Sequence, residues 1–250
     1  MQAPPNLDVS SLLAQGARRL LLTVTLPLVV IAAAAWWLTA STDLGMAPST
    51  TGFVSAWIVM MAAMMLPAVA PVVALYAVAA RRGLVAALPV FVVGYLGVWA
   101  VSALPALLVS RAVTGPLMAQ DPWVARTLGV TLLTAAAYEL TPAKQVCLRH
   151  CRSPLSFFLN RTGSLSRPRA ALSAGARHAV YCLGCCWALM SVLVVLGGMQ
   201  LGWALVLALV LSAEKLLPRG AVVVRTAAAA GAAVGVALLW APSLIGPLTT

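Results

Sequence analysis

The residues best suited to chemistry in this chain are its five cysteines, which fall into two short segments. In the first segment, Cys147 and Cys151 are four residues apart, which places them one turn apart on the same face of a helix. Two thiolates in this arrangement can hold one metal ion between them. His150 points about 100° away from this face, so we do not include it among the expected ligands.

The second segment carries soft ligands at helical spacing. A stripe with one residue at every fourth position runs through His178, Cys182, Cys186 and Met190, and Cys185 lies beside it. Imidazole, thiolate and thioether groups together favour Cu(I). Zinc uses the same Cys and His ligands but gains little from a thioether, so zinc is the alternative metal.

Four methionines form a third cluster, which consists of Met60, Met61, Met64 and Met65. They are followed by Pro67 and Pro71, which predict a kinked helix with freed carbonyl groups beside the cluster. A helix broken in this way is typical of transport sites. Filling of an irregular core is the alternative role for these methionines.

The composition shows what kind of scaffold must position these residues. The chain has 250 residues, of which 62% are hydrophobic and 8% charged, and its mean hydropathy is +1.01. A soluble domain carries roughly 25% charged residues, so the solvent of this chain must be lipid. Long apolar runs without two-residue alternation select helices over a barrel. We therefore predict an all-α fold, a polytopic membrane helical bundle of about seven transmembrane helices.

The predicted helices correspond to apolar runs close to the roughly 20 residues that cross a bilayer. The runs cover residues 20–40, 54–79, 84–110, 124–140, 179–197, 203–217 and 221–241. A cleavable signal peptide is the alternative for the first run, but this run exceeds the usual length of roughly 7–15 residues. No long linker divides the chain, so we expect residues 1–250 to form a single transmembrane domain.

The distribution of basic residues predicts the orientation of this domain. With the N-terminus in the cytoplasm and the C-terminus outside, every Lys and Arg except Arg111 and Arg126 faces the cytoplasm, as the positive-inside rule requires. The longest loop, at 141–178, is then a basic cytoplasmic loop. Topology also accounts for the net charge of +11, so we do not expect nucleic-acid binding.

The same topology places the cysteines on the reducing, cytoplasmic side, where a disulfide framework is not expected. Lys144 is expected to lower the pKa of neighbouring thiols, as a nearby cation does. Glu139 and Glu214 stand at the cytoplasmic ends of the fourth and sixth predicted helices. An acid at membrane depth is a functional candidate, although Glu214 and Lys215 can also reach the interface as a snorkelling pair.

Four segments contain most of these residues: WIVMMAAMMLP at 57–67, YELTPAKQVCLRHCRSP at 138–154, HAVYCLGCCWALM at 178–190 and EKL at 214–216. Together they resemble the predicted metal-binding integral membrane proteins, a family catalogued as a domain of unknown function. The resemblance spans about residues 54–218, and the CLGCCW block at 182–187 is its most specific part. It implies a protein of the bacterial inner membrane that handles a metal, with copper as the expected one.

These patterns predict a membrane protein that binds a soft metal ion, Cu(I) in the first place, for transfer or delivery. The main site is expected near the cytoplasmic face and joins Cys147 and Cys151 to Cys182, Cys185 and Cys186. The methionine cluster and Met190 are expected to relay the ion toward the outer side. Besides the lipid bilayer, the expected partner is a protein that donates or accepts the metal, and we expect metal handling rather than catalysis.

Two other functions fit the same cysteines. A membrane thiol–disulfide oxidoreductase would use Cys182 and Cys185 as a C-x-x-C pair. A non-catalytic assembly subunit of a larger membrane complex would contain the cysteines as inert packing residues. The metal content of the purified protein separates the metal-binding function from the assembly function.

Overall fold

Helices make up almost all of the chain that the computed structural model describes. The described residues are 9–41, 49–80, 84–119, 121–152, 167–197 and 200–246. They form α1 (Val9–Ser41), α2 (Thr50–Ala80), α3 (Leu84–Met118), α4 (Pro122–Glu139), α5 (Pro142–Arg152), α6 (Pro168–Val195), α7 (Leu201–Leu216) and α8 (Gly220–Trp240), followed by a short 3-10 helix at Pro242–Ile245. No strand is present within these ranges, and the predicted all-α fold is confirmed.

Five of the helices are long and apolar enough to cross a membrane. Their apolar stretches are Leu22–Ser41, Thr50–Ala74, Ala87–Met118, Pro168–Val195 and Gly220–Trp240. They coincide with five of the predicted runs, and the other two runs, 124–140 and 203–217, correspond to α4 and α7. Helix α7 has only 16 residues, and α4 carries Arg126 and three threonines among its 18 residues. The described chain is thus compatible with a membrane protein that has five clear spans.

Helices α2 and α6 form the inside of the bundle, and α1 and α8 lie on its outside. Buried residues make up 78% of the most apolar part of α2 and 67% of that of α6, compared with 22% for both α1 and α8. Helix α6 packs against α3, α4, α5 and α7, and α2 packs against α1, α3 and α7. The methionine segment and the second cysteine segment therefore lie in the core.

Glycines let α3 and α6 approach until their backbones touch. A Cβ atom added at Gly175 would collide with the carbonyl group of Phe91, and Gly94 on α3 makes the reciprocal contact with the backbone of α6. Small residues at a helix crossing are a common means of close packing in membrane proteins. The contact fixes α3 relative to α6, so that Tyr95 lies beside Cys182.

Helix α2 runs without interruption through Pro67 and Pro71. The predicted kink beside the methionines therefore falls inside a continuous helix, and the kink itself stays a prediction. Long apolar helices tolerate proline when neighbouring helices and small local adjustments satisfy the freed carbonyl groups. The methionines consequently lie on a continuous helix in the centre of the bundle.

The described part of the predicted loop at 141–178 is largely helical. Helix α5 begins at Pro142 directly after a turn that follows α4, and α6 begins at Pro168. Proline suits the first turn of a helix, because its missing N–H has no partner to lose there. Residues 153–166 lie outside the described residues.

Replacing Gly175 by alanine is expected to destabilise the protein, because the added methyl group meets backbone atoms of Phe91 that cannot move aside. Overpacking of this kind lowers the free energy of unfolding by about 1–3 kcal/mol. Denaturant titration in detergent, followed by circular dichroism, measures the change. Gly97→Ala on α3 is the matched control, because nothing lies within 4 Å of its added Cβ. Equal stability of the two variants would contradict the proposed role of the glycine contact.

Candidate metal centre

Two helices bring the cysteine segments into contact. Helix α6 carries Cys182, Cys185 and Cys186, and the short helix α5 packs against it. The Sγ atom of Cys151 on α5 lies 3.7 Å from the Sγ atom of Cys185. Both of these thiols are buried. The two segments, which are more than thirty residues apart in the printed sequence, therefore meet at this pair.

Cys182 has a different set of neighbours. The ammonium group of Lys215 on α7 donates to its Sγ atom at 3.1 Å, and the hydroxyl of Tyr95 on α3 lies 3.1 Å from the same sulfur. Lys215 also lies 3.6 Å from the Sδ atom of Met65 on α2. A lysine cation is therefore buried beside sulfur atoms of two different helices.

The thiols of Cys185 and Cys186 bond back to their own helix. Both donate to the carbonyl oxygen of Cys182, at 3.1 and 3.0 Å. Bonds from a small polar side chain to a preceding carbonyl group are common inside helices. They hold the two sulfurs close to the backbone of α6, and Cys185 keeps its additional contact with Cys151.

The Cys151 thiol is held in its protonated form. Hydrogen bonding to Cys182 and Cys185, together with burial, raises the pKa of Cys151 well above its ordinary value. Metal ligands of this kind must lose their proton. A metal ion that binds at Cys151 therefore has to displace a proton.

Cys147 lies at the edge of the cluster and is half-buried. Its Sγ atom packs over Gly184 on α6, so closely that an added Cβ would lie 2.8 Å from the sulfur. Burial raises the pKa of Cys147 and the nearby Cys185 raises it further, while Lys144 opposes the increase. Lys144 thus acts on the pKa of Cys147 in the predicted, lowering direction, but desolvation of the thiolate is the larger effect and the pKa is raised.

The two histidines occupy very different surroundings. His178 is buried against aromatic rings of α3, with its ring centre 6.0 Å from that of Tyr95 and 6.5 Å from that of Phe91. It precedes the first cysteine of α6 by one turn. His150 is exposed and stacks on Tyr181, with ring centres 4.2 Å apart.

The methionines are distributed over two regions of the core. Met60, Met61, Met64 and Met65 are all buried on α2, and Met65 is the one placed beside Lys215. Met190 on α6 lines an apolar cavity of about 790 Å³ between α2, α3, α4 and α6, together with Trp57 and Trp99. Met65 and Met190 therefore belong to separate surroundings, one next to the cysteines and one along the cavity.

The spacing of Cys151 and Cys185 suits a shared metal ion. If each sulfur is about 2.3 Å from the metal, two sulfurs of a tetrahedral site lie roughly 3.8 Å apart. The observed distance is 3.7 Å. Across the described ranges, however, no group of three or more His, Cys, Asp or Glu side chains is arranged to hold one ion. The ammonium group of Lys215 already occupies the space beside Cys182.

The sequence places the chain in a family. A match to the PpoB2 family, described as copper chaperones, covers residues 54–238. The chain belongs to this copper chaperone family. The matched range begins in α2 and ends in α8, so it contains every cysteine and the methionine cluster. No curated protein and no solved structure matches the chain.

Membership of the copper chaperone family confirms the predicted function at its coarser level, the handling of copper. Five helices of sufficient length and hydropathy are compatible with the predicted membrane location. A copper chaperone carries its ion as cargo. Its ligands must therefore hold copper firmly and still release it to another molecule.

Sequence reasoning missed two side chains of this copper chaperone, Tyr95 and Lys215, that contact Cys182. The predicted snorkelling pair of Glu214 and Lys215 is wrong, because both side chains are buried and contact different partners. The position of Lys215 inside an apolar run was the available signal, since a charge there needs a partner. Tyr95 gives no such signal, because one aromatic residue in an apolar helix fits core packing equally well.

A second charged cluster lies next to the cysteines. The Nζ atom of Lys144 on α5 lies 2.6 Å from Oε1 of Glu139 on α4 and 2.9 Å from Oε2 of Glu214 on α7. All three side chains are buried. Burial alone would lower the pKa of Lys144, but the carboxylates of Glu214 and Glu139 raise it above its ordinary value. Lys144 therefore stays an ammonium ion and binds carboxylates instead of thiols.

The raised pKa of Cys147 predicts slow alkylation of this thiol near neutral pH. Because the thiolate is the reactive form, the rate should reach half its maximum at a higher pH than for a free cysteine, whose pKa is about 8.5. Pulses of iodoacetamide over a pH series, read by residue-resolved mass spectrometry, measure the rate. Cys151 is the internal control and should react more slowly at every pH, because it is buried. A half-maximal pH below that of a free cysteine would show the pKa to be lowered instead.

Proposed function

We propose that this copper chaperone binds Cu(I) through the thiols of Cys151 and Cys185 and delivers the ion to an acceptor protein. The observation that carries the proposal is the 3.7 Å contact between these two sulfurs. They come from different helices, and both are buried in an apolar core. Thiolate and thioether sulfurs are the ligands that select Cu(I).

Cys182 and Met65 supply the next sulfur atoms of the proposed site. Both contact the ammonium group of Lys215, at 3.1 and 3.6 Å. Lys215 carries one positive charge, as Cu(I) does, so the ion can take the place of the ammonium group, while the proton that Cys151 loses leaves the pocket. In this proposal Lys215 withdraws when copper arrives and returns when copper leaves. The sulfurs of the empty site thereby keep a partner, which a buried polar group requires.

The ligand chemistry favours copper over zinc in this proposal. A structural zinc site takes four ligands, whereas the part of the chain that is described offers no three His, Cys, Asp or Glu groups around one point. Thiols assisted by a thioether form a softer set than zinc requires. Family membership supports the same metal.

The remaining sequence-predicted ligands lie outside this central pair. Cys147 and Cys186 lie next to the pair without joining it, and His178 borders the aromatic residues of α3. We assign a relay role to the other thioethers, which are Met60, Met61, Met64 and Met190. Thioethers are neutral and weak ligands, so an ion can leave them easily. This assignment gives the ion a path through the core on the far side of the cysteines.

The proposal places the site near the cytoplasmic face of a bacterial inner membrane. In this arrangement α4 and α7 cross together with the five long helices, which gives seven crossings, the N-terminus inside and the C-terminus outside. The basic residues of 141–178 then lie in the cytoplasm, in agreement with the positive-inside rule. The cysteines lie on the reducing side, which keeps thiols available for Cu(I). The chain acts as a single domain that exchanges copper with a donor or acceptor protein.

A thiol–disulfide oxidoreductase is the second candidate, and the contact between Cys151 and Cys185 is also the observation that favours it. The reactive pair would then be these two residues, instead of the predicted pair of Cys182 and Cys185. A reducing compartment opposes this function, because it keeps such a pair in the dithiol form. An assembly subunit with inert cysteines is the remaining alternative.

Cys151→Ser and Cys185→Ser are each expected to lower the affinity for Cu(I) by about 100-fold or more, since loss of an outer-shell partner alone costs roughly 10–100-fold. Anaerobic competition of the purified full chain with a chromophoric Cu(I) chelator measures the affinity. Cys147→Ser is the matched control, because it makes the same change one turn earlier on α5, outside the sulfur pair. It should bind Cu(I) as tightly as the wild type.

The same variants separate the candidate functions. Unchanged copper affinity in both Cys151→Ser and Cys185→Ser would exclude these residues as ligands. A disulfide between Cys151 and Cys185 that forms and is reduced again with a quinone or dithiol partner would favour the oxidoreductase. If the wild-type chain takes up neither copper nor zinc, the assembly subunit is the remaining candidate function.

A further inference from the structure

Three charged side chains from three helices meet inside the bundle, apart from the sulfur atoms. Glu139 closes α4, Lys144 lies in the first turn of α5, and Glu214 lies in the last turn of α7. The Lys144 ammonium contacts both carboxylates, at 2.6 and 2.9 Å. Their exposed fractions are 1% for Glu139 and 0% for the other two. Two buried carboxyl groups thus share one buried ammonium group.

Each carboxylate of this cluster has one oxygen without a hydrogen-bond partner. These atoms are Oε2 of Glu139 and Oε1 of Glu214, and both are buried. A buried charge that is only partly paired is costly, because the interior replaces neither its water shell nor the missing hydrogen bonds. With both acids ionised and Lys144 as an ammonium ion, the cluster would carry one uncompensated negative charge.

Charged groups nearby do not supply the missing partners. The titratable and charged groups on the helices packed around the cluster include Tyr138 on α4, Cys147 and Arg152 on α5, Cys185 on α6, Lys215 on α7 and Arg225 on α8. Lys215 is bonded to sulfur atoms. Arg152 donates to the carbonyl of Leu217, Tyr138 donates to that of Gly184, and Arg225 is exposed. These groups therefore leave the excess negative charge of the cluster without a partner outside it.

We propose that Glu139 and Glu214 bind one exchangeable proton between them, so that the cluster is a proton-binding site at the junction of α4, α5 and α7. A proton fits because two negative charges at one buried site repel each other, and each carboxylate here has one buried oxygen without a partner. It converts one carboxylate oxygen into a donor and leaves one carboxylate for the Lys144 ammonium. A metal cation fits less well, because that ammonium group already lies between the acids.

The site goes beyond copper binding and does not depend on it. It is nevertheless close to the proposed copper ligands in the fold, because α5 carries both Lys144 and Cys151, and α7 carries both Glu214 and Lys215. Loss of the proton adds a negative charge beside the first turn of α5 and the last turn of α7. Binding or release of the proton therefore changes the charge next to the two helices that carry Cys151 and Lys215.

The printed sequence allows a direct test, because Glu139 and Glu214 are the only glutamates in the chain. Full-length protein labelled with carboxyl-¹³C glutamate is reconstituted in lipid nanodiscs without metal, and its infrared spectrum is recorded over a pH series. The carbonyl band of a protonated carboxylic acid shifts with the label, so a shifted band can come only from this cluster. We expect the band near neutral pH, at half the intensity reached when both glutamates are protonated in acid.

Three variants complete the test. Glu139→Gln and Glu214→Gln are each expected to lose the labelled band near neutral pH, because the remaining carboxylate pairs one-to-one with Lys144. Asp121→Asn, at the start of α4, is the control and should keep the band unchanged. Absence of the band near neutral pH in the wild type, which needs no variant to fold, overturns the proposal. Persistence of the labelled band in both Gln variants overturns the sharing of the proton.

Discussion

Polar groups inside an apolar bundle must find their partners within the bundle, because the surroundings offer none. Two buried lysines of this chain meet that requirement in different ways. Lys144 holds the carboxylates of Glu139 and Glu214, and Lys215 lies against the sulfurs of α6 and α2. The short helix α5 depends on the first of these contacts. It turns Lys144 and Cys151 inward, and a helix with so little apolar surface is held in place by the ion pairs and by its contact with α6.

Neighbouring positions on α7 separate two kinds of chemistry. Glu214 contacts Lys144 and Lys215 contacts Cys182, and consecutive residues of a helix point about 100° apart. Oxygen ligands therefore gather on one side of α7 and sulfur ligands on another. Cations sort between such surroundings by hardness, since carboxylates suit hard ions and thiolates suit soft ones. The ammonium group of Lys144 lies on the oxygen side and that of Lys215 on the sulfur side, so in the proposed function a soft ion displaces Lys215.

The sequence predicts the helices of this protein better than the contacts between them. The run at 221–241 and helix Gly220–Trp240 differ by one residue at each end, because a helix satisfies its backbone locally and apolar length then sets its bounds. The run at 179–197 misses the first turns of α6, which are polar enough to look like loop. Apolar length alone does not predict where α4 and α7 end. These two shortest predicted spans end in the polar residues Glu139, Glu214 and Lys215, which are buried inside the bundle.

Spacing along α6 correctly groups the residues that share a face, but it cannot say which sulfur from another helix they meet. The contact between Cys151 and Cys185 depends on how α5 crosses α6. The contact of Lys215 with Cys182 depends on the rotation of α7 about its axis. A local pattern of residues predicts neither the crossing of α5 and α6 nor the rotation of α7. For the same reason four methionines at regular spacing could not reveal that Met65 is the one beside a cation.

The glycine contact between α3 and α6 limits how the buried thiols can be reached. Backbone meets backbone at Gly94 and Gly175, so no side chain there can turn aside to admit an ion. Helices α5 and α7, in contrast, bring long side chains to or near the cysteine cluster. Lys215 of α7 ends among sulfurs, and Arg152 of α5 is anchored by a single bond to the carbonyl of Leu217. The sulfur cluster thus lies near one rigid contact, between α3 and α6, and near flexible side chains of α5 and α7, and in the proposed function these flexible side chains are the ones that can move aside for an ion.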